Sequence, residues 1–240
     1  MDTTHLGLFF FCLKRYNIDM INFHVVSIFP KMVEDYCSES ILKKAQTAGL
    51  INFKFYNIRD YTLDKHGKVD DRPFGGGPGM VMNAQPILAC IDKIKESIID
   101  KKKVKTIIFV PSGKIWTNTE AKKISKKYTD IILICGRYEG IDYRVQKILK
   151  AESISVGDFV LTGGEIPAMI LIDSISRQVK GVLGDFNSLE EVRTEAGGSS
   201  EEFYTRPEVL EFKNKKYKVP PVFLSGNPKL ISEYKKSRKK

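Results

Sequence analysis

The chain has 240 residues, 42% of them hydrophobic, and a formal net charge of +10. That length fits one large domain, or one domain with a small companion, and the apolar fraction is enough for a real core. The excess of Lys and Arg points to an anionic partner, nucleic acid among them. Cys12, Cys37, Cys90 and Cys135 form no CxxC pair, and His5, His24 and His66 have no paired ligand spacing. A structural zinc site and a disulfide framework are therefore disfavoured, and the thiols read as reduced and cytoplasmic. No apolar run is long enough to span a bilayer, so no membrane partner is expected.

Residues 1–19 read as a floppy or accessory extension. Its apolar run, Leu6 to Leu13, is short, and Lys14 and Arg15 follow that run, the reverse of a secretory signal. Met20 is an alternative start. Ile21 to Phe29 is β-rich and opens the fold. Pro30 starts a helical pattern running to Gly49, a C-cap. Ile51 to Ile58 alternates like a strand. A loop with Asp60, His66, Asp70, Asp71 and Arg72 then leads into the cluster Gly75, Gly76, Gly77, Pro78, Gly79. Ala84 to Lys95 reads as a helix, with Pro86 near its first turn.

Val104 to Pro111 and Asp130 to Cys135 are continuous apolar runs. Such runs suit strands buried on both faces of a parallel sheet. The polar segment NTEAKKISKKY between them reads as a helix, and so does MILIDSISR further on. Strands alternating with helices give an α/β class with a mostly parallel sheet. Lys180 to Tyr204 is rich in Gly, Ser and Glu and reads as a mobile linker or lid. A last amphipathic helix and the basic tail EYKKSRKK close the chain.

The glycine-bearing loops carry the functional signal. A Walker loop is absent, and a GxGxxG fingerprint fails at Met80. The loops at Pro111 to Gly113 and Gly136 to Gly140 follow the two most buried-looking strands, and Gly157 to Pro167 comes after them. Ligands in open α/β sheets sit at the carboxyl ends of strands. Three converging loops let backbone groups reach a planar heterocycle such as adenine, in a ligand without a phosphate chain. Taken singly, each loop is equally a tight turn.

VDDRPFGGGPGM, GRYEGID, SVGDFVLTGGEIPA, LIDSISR, GVLG and YTRPEVLE occur in this order. Together they resemble the bacterial tRNA (guanine-N1)-methyltransferase family, over about Ile21 to Pro228. The resemblance implies a SPOUT-class fold. That is an α/β protein whose mostly parallel sheet has helices on both faces, with a deep trefoil knot on its C-terminal side. It also implies a homodimer, transfer of a methyl group from S-adenosylmethionine to N1 of guanine 37 of tRNA, and cytoplasmic localisation. The expected organisation is an extension (1–19), a knotted domain (20–179), a lid (180–206) and a truncated, small helical C-terminal extension with a basic tail (207–240).

By resemblance, Pro111, Gly113, Gly136, Tyr138, Gly140, Val156, Gly157, Val160, Leu161, Gly163, Gly164 and Pro167 match the donor-binding loops. Glu139 matches an active-site carboxylate associated with magnesium. Arg177 matches the arginine that stabilises guanine O6; on sequence grounds alone it is equally a charge offsetting the helix dipole. Asp173, one turn earlier, reads as structural, with i,i+4 spacing for an ion pair. Asp70, Asp71, Arg72, Gly76 and Gly77 would form the guanosine-side wall.

The chain departs from the family pattern twice. An ungapped count from Gly184 to Tyr204 puts Val192 where the family keeps the Asp that acts as general base. Glu190, Glu191 and Glu195 are the nearby carboxylates, with Glu191 the choice. The C-terminal part also stops after one helix, which predicts weaker tRNA affinity, with the tail adding salt-sensitive phosphate contacts. Two other readings follow from these departures: a catalytically impaired RNA-binding protein of the same fold, and a knotted methyltransferase acting on another RNA.

Overall fold

The computed structural model of the chain describes residues 20–183 and 203–237. Two compact units divide the chain, residues 1–186 and 187–240. In the first, β1 (Ile21–Ser27), α1 (Pro30–Cys37), α2 (Ser40–Thr47) and β2 (Ile51–Asn57) come first. A short antiparallel hairpin pairs β3 (Asp70–Asp71) with β4 (Val81–Met82), and α3 (Ala84–Glu96) follows. Then come β5 (Val104–Ile115), α4 (Asn118–Lys127), β6 (Asp130–Ile134), α5 (Tyr143–Leu149), β7 (Glu152–Ser155) and α6 (Glu165–Ser176).

The main sheet has the order β2-β1-β6-β5-β7, and every neighbouring pair is parallel. β6 shows why a continuous apolar run folds this way. Ile131, Leu133 and Cys135 join a core with α1, α2, α4 and α6, while Ile132 and Ile134 join a second core with α3 and α5. All five are fully buried. Side chains alternate across a strand, so a run covered on both faces must be apolar throughout.

Local chemistry sets the helix ends. The Thr117 side chain accepts the Glu120 N–H at 3.3 Å and starts α4. Gly49, at φ +70, ends α2, with its N–H bonded to the Gln46 carbonyl and that of Leu50 to the Ala45 carbonyl. That is a Schellman ending, and glycine takes the left-handed angle at little cost.

The structure differs from expectation at four places. The single helix expected from Pro30 to Gly49 is two. Ser40 takes φ +52, and the Ser38 N–H bonds back to Glu34 and Asp35. β5 runs beyond Pro111 to Ile115, with a register break between Phe109 and Lys114. α6 begins at Glu165, inside the stretch expected as a loop. The second unit is not purely helical, since β8 (Val209–Phe212) and β9 (Lys215–Lys218) form a hairpin before α7 (Pro221–Leu224) and α8 (Pro228–Ser237). Its turn residues Lys213 and Asn214 both take positive φ, as two-residue hairpin turns require.

Among the described residues, no helix is long and apolar enough to cross a membrane. Cys37, Cys90 and Cys135 are buried free thiols. Burial pushes Cys37 and Cys90 up to about 12 and Cys135 well above its ordinary value.

Candidate active site

A cleft of about 360 Å³ opens at the carboxyl ends of β5, β6 and β7. Its size falls within the range of small-molecule sites. Three segments line it: β5 from Ile108 to Pro111, at its register break, the β6–α5 loop, and the β7–α6 loop. Of the twelve expected donor residues, Pro111, Gly136, Tyr138, Gly140, Val156, Gly157, Val160, Leu161, Gly163, Gly164 and Pro167 line this one cleft. Gly113 is not among its lining residues. A Cβ there would stand 2.7 Å from the backbone of Ile154, so this glycine lets the irregular stretch of β5 lie on β7.

Close backbone approach explains the glycines at the centre. The Gly164 N–H donates to the Gly136 carbonyl at 2.9 Å, and a Cβ on Gly164 would meet the Cys135 Cα at 2.7 Å. The β7–α6 loop thus lies directly on the end of β6. Tyr138 takes φ +60 and Gly140 φ +126, turning the β6–α5 loop sharply.

A buried charge pair locks these loops together. Glu165, in the first turn of α6, is 1% exposed. Its Oε2 accepts Arg137 Nε at 2.9 Å, and its Oε1 accepts the Ser27 hydroxyl at 2.6 Å. Ser27 Oγ in turn accepts the Phe29 N–H at 2.8 Å. The Arg137 guanidinium lies 5.1 Å from the Phe29 ring centroid and reaches the Thr162 carbonyl at 3.4 Å. Three elements (the ends of β1 and β6 and the start of α6) therefore share one network. The sequence reading passed over Arg137, Glu165 and Ser27. The available signal was an arginine in one glycine loop and two carboxylates, Asp158 and Glu165, in the other.

The glycine cluster joins the cleft through Glu139. Gly75, Gly76, Gly77 and Gly79 all take positive φ. A Cβ on Gly79 would come within 2.8 Å of the Glu139 carboxyl carbon. The Glu139 N–H donates to the Met80 carbonyl at 2.9 Å, the Met82 N–H to Gly140, and the Asp142 N–H to Met82. The β3–β4 hairpin is thus tied edge-on to the β6–α5 loop. Asp70 is half-buried, while Asp71, Arg72, Gly76 and Gly77 are exposed. The Arg72 backbone N–H, with Lys68 nearby, holds the Asp71 carboxyl below its usual range.

Arg177 is the C-cap residue of α6, its N–H bonded to the Asp173 carbonyl, and it is not among the cleft-lining residues. Asp173 accepts the Tyr36 hydroxyl at 2.9 Å, linking α6 to α1. Glu190, Glu191, Val192 and Glu195 lie outside the described residues. Among the described residues no group of three or more His, Cys, Asp and Glu side chains gathers to hold a metal. Glu139 is the one carboxylate of the GRYEG segment and lines the cleft.

The comparisons with known proteins agree with this architecture. A family model described as tRNA (Guanine-1)-methyltransferase TrmD matches residues 21–240. The tRNA (guanine-N(1)-)-methyltransferase of Clostridioides difficile (strain 630) is 45% identical over 218 residues, covering 90% of this chain and 91% of the relative. That of Dictyoglomus turgidum is 46% identical over 217 residues, covering 90% and 84%. A Campylobacter jejuni relative of the same name is 43% identical over 216 residues, covering 90% of each. With matches of this length running through both glycine loops and the cleft between them, the chain belongs to the TrmD family of tRNA (guanine-1)-methyltransferases.

Proposed function

We propose that this chain methylates N1 of guanine 37 in tRNA with S-adenosylmethionine as donor. It is a tRNA guanine-N1 methyltransferase, as its relatives are named. The observation that carries the finer reading is the convergence of three glycine-bearing loops on one cleft, with the Glu139 carboxylate at its junction with the β3–β4 hairpin. The cleft fits the donor by chemistry: it has no Walker-type phosphate loop, and backbone edges at Gly136, Gly140 and Gly157 suit a planar base.

When bound, S-adenosylmethionine supplies an electrophilic methyl carbon on a sulfonium. Neutral guanine carries a proton on N1, so that lone pair is not free to attack. A base on the protein must take the N1 proton, and as it leaves, negative charge builds on O6, where a cation must meet it. That charge is discharged as the N1–carbon bond forms and the carbon–sulfur bond breaks. Positioned base catalysis contributes about 10²–10⁴-fold, and preorganised charge is worth as much or more. We assign the base to Glu191 and the O6 cation to Arg177. Asp70, Asp71, Arg72, Gly76 and Gly77 form the wall that receives the guanosine. Magnesium, where used, would meet Glu139 together with substrate oxygens, since one carboxylate is a partial set for that ion.

We also infer a cytoplasmic homodimer. Phe29, Met32 and Tyr36 at α1, and Ile166 and Ile170 on the adjoining α6, are large apolar side chains left exposed. The knot expected from the family would place the β7–α6 loop through the region that Gly163 and Gly164 occupy against β6.

The test is methyl incorporation. Purified protein is incubated with labelled donor, magnesium and two tRNA transcripts, one with guanine at 36 and 37 and one with adenine at 37. Label in the first alone is expected. Label in neither, with donor and tRNA both bound, would support the impaired RNA-binding reading instead. Label in both would indicate another target.

A further inference from the structure

The mouth of the cleft carries more aromatic surface than a small donor uses. Tyr138 and Tyr143 both line it, yet they are 50% and 62% exposed. Phe74, in the loop between β3 and β4, is fully exposed. Large aromatic side chains left exposed at the rim of a cleft are candidates for contact with a ligand or partner. The segments that bear these rings are also fixed to one another. The hydrogen bonds from Glu139 to Met80, from Met82 to Gly140 and from Asp142 to Met82 measure 2.9, 2.9 and 3.0 Å. Tyr138 and Tyr143 therefore stand on a common frame.

Tyr143 opens α5. The residue before it, Asp142, caps the helix by accepting the Arg144 N–H at 2.9 Å and binds the Arg144 guanidinium through both carboxylate oxygens. That pairing holds the Asp142 carboxyl below its usual range and answers the charge of Arg144. Lys147 differs. It lies one turn on, with its ammonium 5.1 Å from the Tyr143 ring centroid, and makes no ion pair among the described residues. The ammonium thus lies over one face of the ring at the edge of the cleft, leaving the other face for a base. Proteins hold unpaired RNA nucleotides in this way, with a ring against the base and a cation on the phosphate. A second copy of the chain or a protein partner would be met better by an aliphatic patch without the lysine.

We propose that Tyr143 and Lys147 form a nucleotide-docking lip for single-stranded RNA. Tyr143 stacks on an unpaired base beside the target guanine, and Lys147 contacts the adjoining phosphodiester. The inference rests on RNA being the substrate. It adds a contact that orients the loop before methyl transfer.

The test reads binding, with no methyl transfer required. A fluorescein-labelled anticodon stem-loop RNA is titrated with wild-type, Tyr143→Ala, Tyr143→Phe and Lys147→Ala proteins at several salt concentrations. Loss of one stacking contact weakens binding by about 5- to 100-fold in Tyr143→Ala. Tyr143→Phe keeps the ring and binds as wild type. Lys147→Ala lowers the slope of log affinity against log salt by about one. Donor affinity holds in Lys147→Ala, because Lys147 is not among the cleft-lining residues. Wild-type affinity for RNA in Tyr143→Ala overturns the proposal, as does a change of association state without a change in RNA affinity. Should Tyr143→Ala fail to fold, the slope of Lys147→Ala decides, and an unchanged slope overturns it. A wild-type protein that binds RNA through Tyr143 yet transfers no methyl group upholds the lip and removes the catalytic reading. Methyl transfer with an indifferent Tyr143 does the opposite.

Discussion

Gly79 packs directly against Glu139, where a Cβ would come within 2.8 Å of the carboxyl carbon. Gly79 also takes φ +87, a region that L side chains rarely adopt. Gly79→Ala must therefore displace the Glu139 carboxylate, the backbone, or both. Small misplacements at a reacting site cost up to about 100-fold in rate, so kcat/KM should fall by about 10- to 100-fold. Gly75→Ala is the control, because its φ is +90 but a Cβ there meets nothing within 4 Å. Its effect should be the smaller one in the same steady-state assay.

The Arg137–Glu165 pair predicts a stability effect. Removing one partner leaves a buried charge uncompensated, at a cost of about 3–5 kcal/mol. Arg137→Met should lower unfolding stability by that order, because Glu165 is 1% exposed and, among the described residues, keeps only Ser27 as a side-chain donor. Urea unfolding measures it. A loss under about 1 kcal/mol would mean that the pair does not hold the loops.

His24 predicts a pH dependence. It is 1% exposed, with Nε2 3.1 Å from Asp130 Oδ1 and Nδ1 3.2 Å from the Tyr56 hydroxyl. Burial lowers its pKa despite the opposing pull of Asp130, and Lys54 adds a smaller push downward. His24 therefore takes up its proton at lower pH in the folded protein than in the unfolded chain, which does so near pH 6.5. Below that pH the unfolded state binds more protons, so stability falls as pH drops through about 6.5. Urea midpoints at about pH 7.5 and about pH 5.5 should show the decline. His24→Gln should flatten it, and an unchanged slope in that variant would assign the effect elsewhere.

The proposed assignment of Glu191 as the base predicts a variant effect. Its sequence neighbour Val192 has a side chain that cannot accept a proton. Glu191→Gln should abolish transfer at saturating donor and tRNA, with tRNA binding intact. Glu190→Gln and Glu195→Gln should keep activity. Single-turnover rates separate the three.

Much of the fold was legible because it depends on local pattern. The run in β6 is buried on both sides and is apolar from Ile131 to Ile134, while β1 admits polar His24 and Ser27 only with hydrogen-bond partners. The break between α1 and α2 was not legible. It needs Ser40 in a left-handed conformation, which a helical pattern does not announce. Gly113 and Gly140 show the limit for the site. Both belong to glycine-bearing loops, but Gly113 accommodates the Ile154 backbone while Gly140 lines the cleft. Arg137 and Glu165 stand 28 residues apart, so their pairing exists only once β6 and α6 meet. The order of the strands in the sheet is likewise a tertiary fact that spacing along the chain does not contain.

The most direct test of the central claim is nucleoside mass spectrometry on the tRNA product, with the modified position mapped by fragment analysis. The account predicts 1-methylguanosine at position 37 and at no other position. A different methylated nucleoside, methylation elsewhere in the tRNA, or unmodified guanosine after full incubation with donor and magnesium would contradict it.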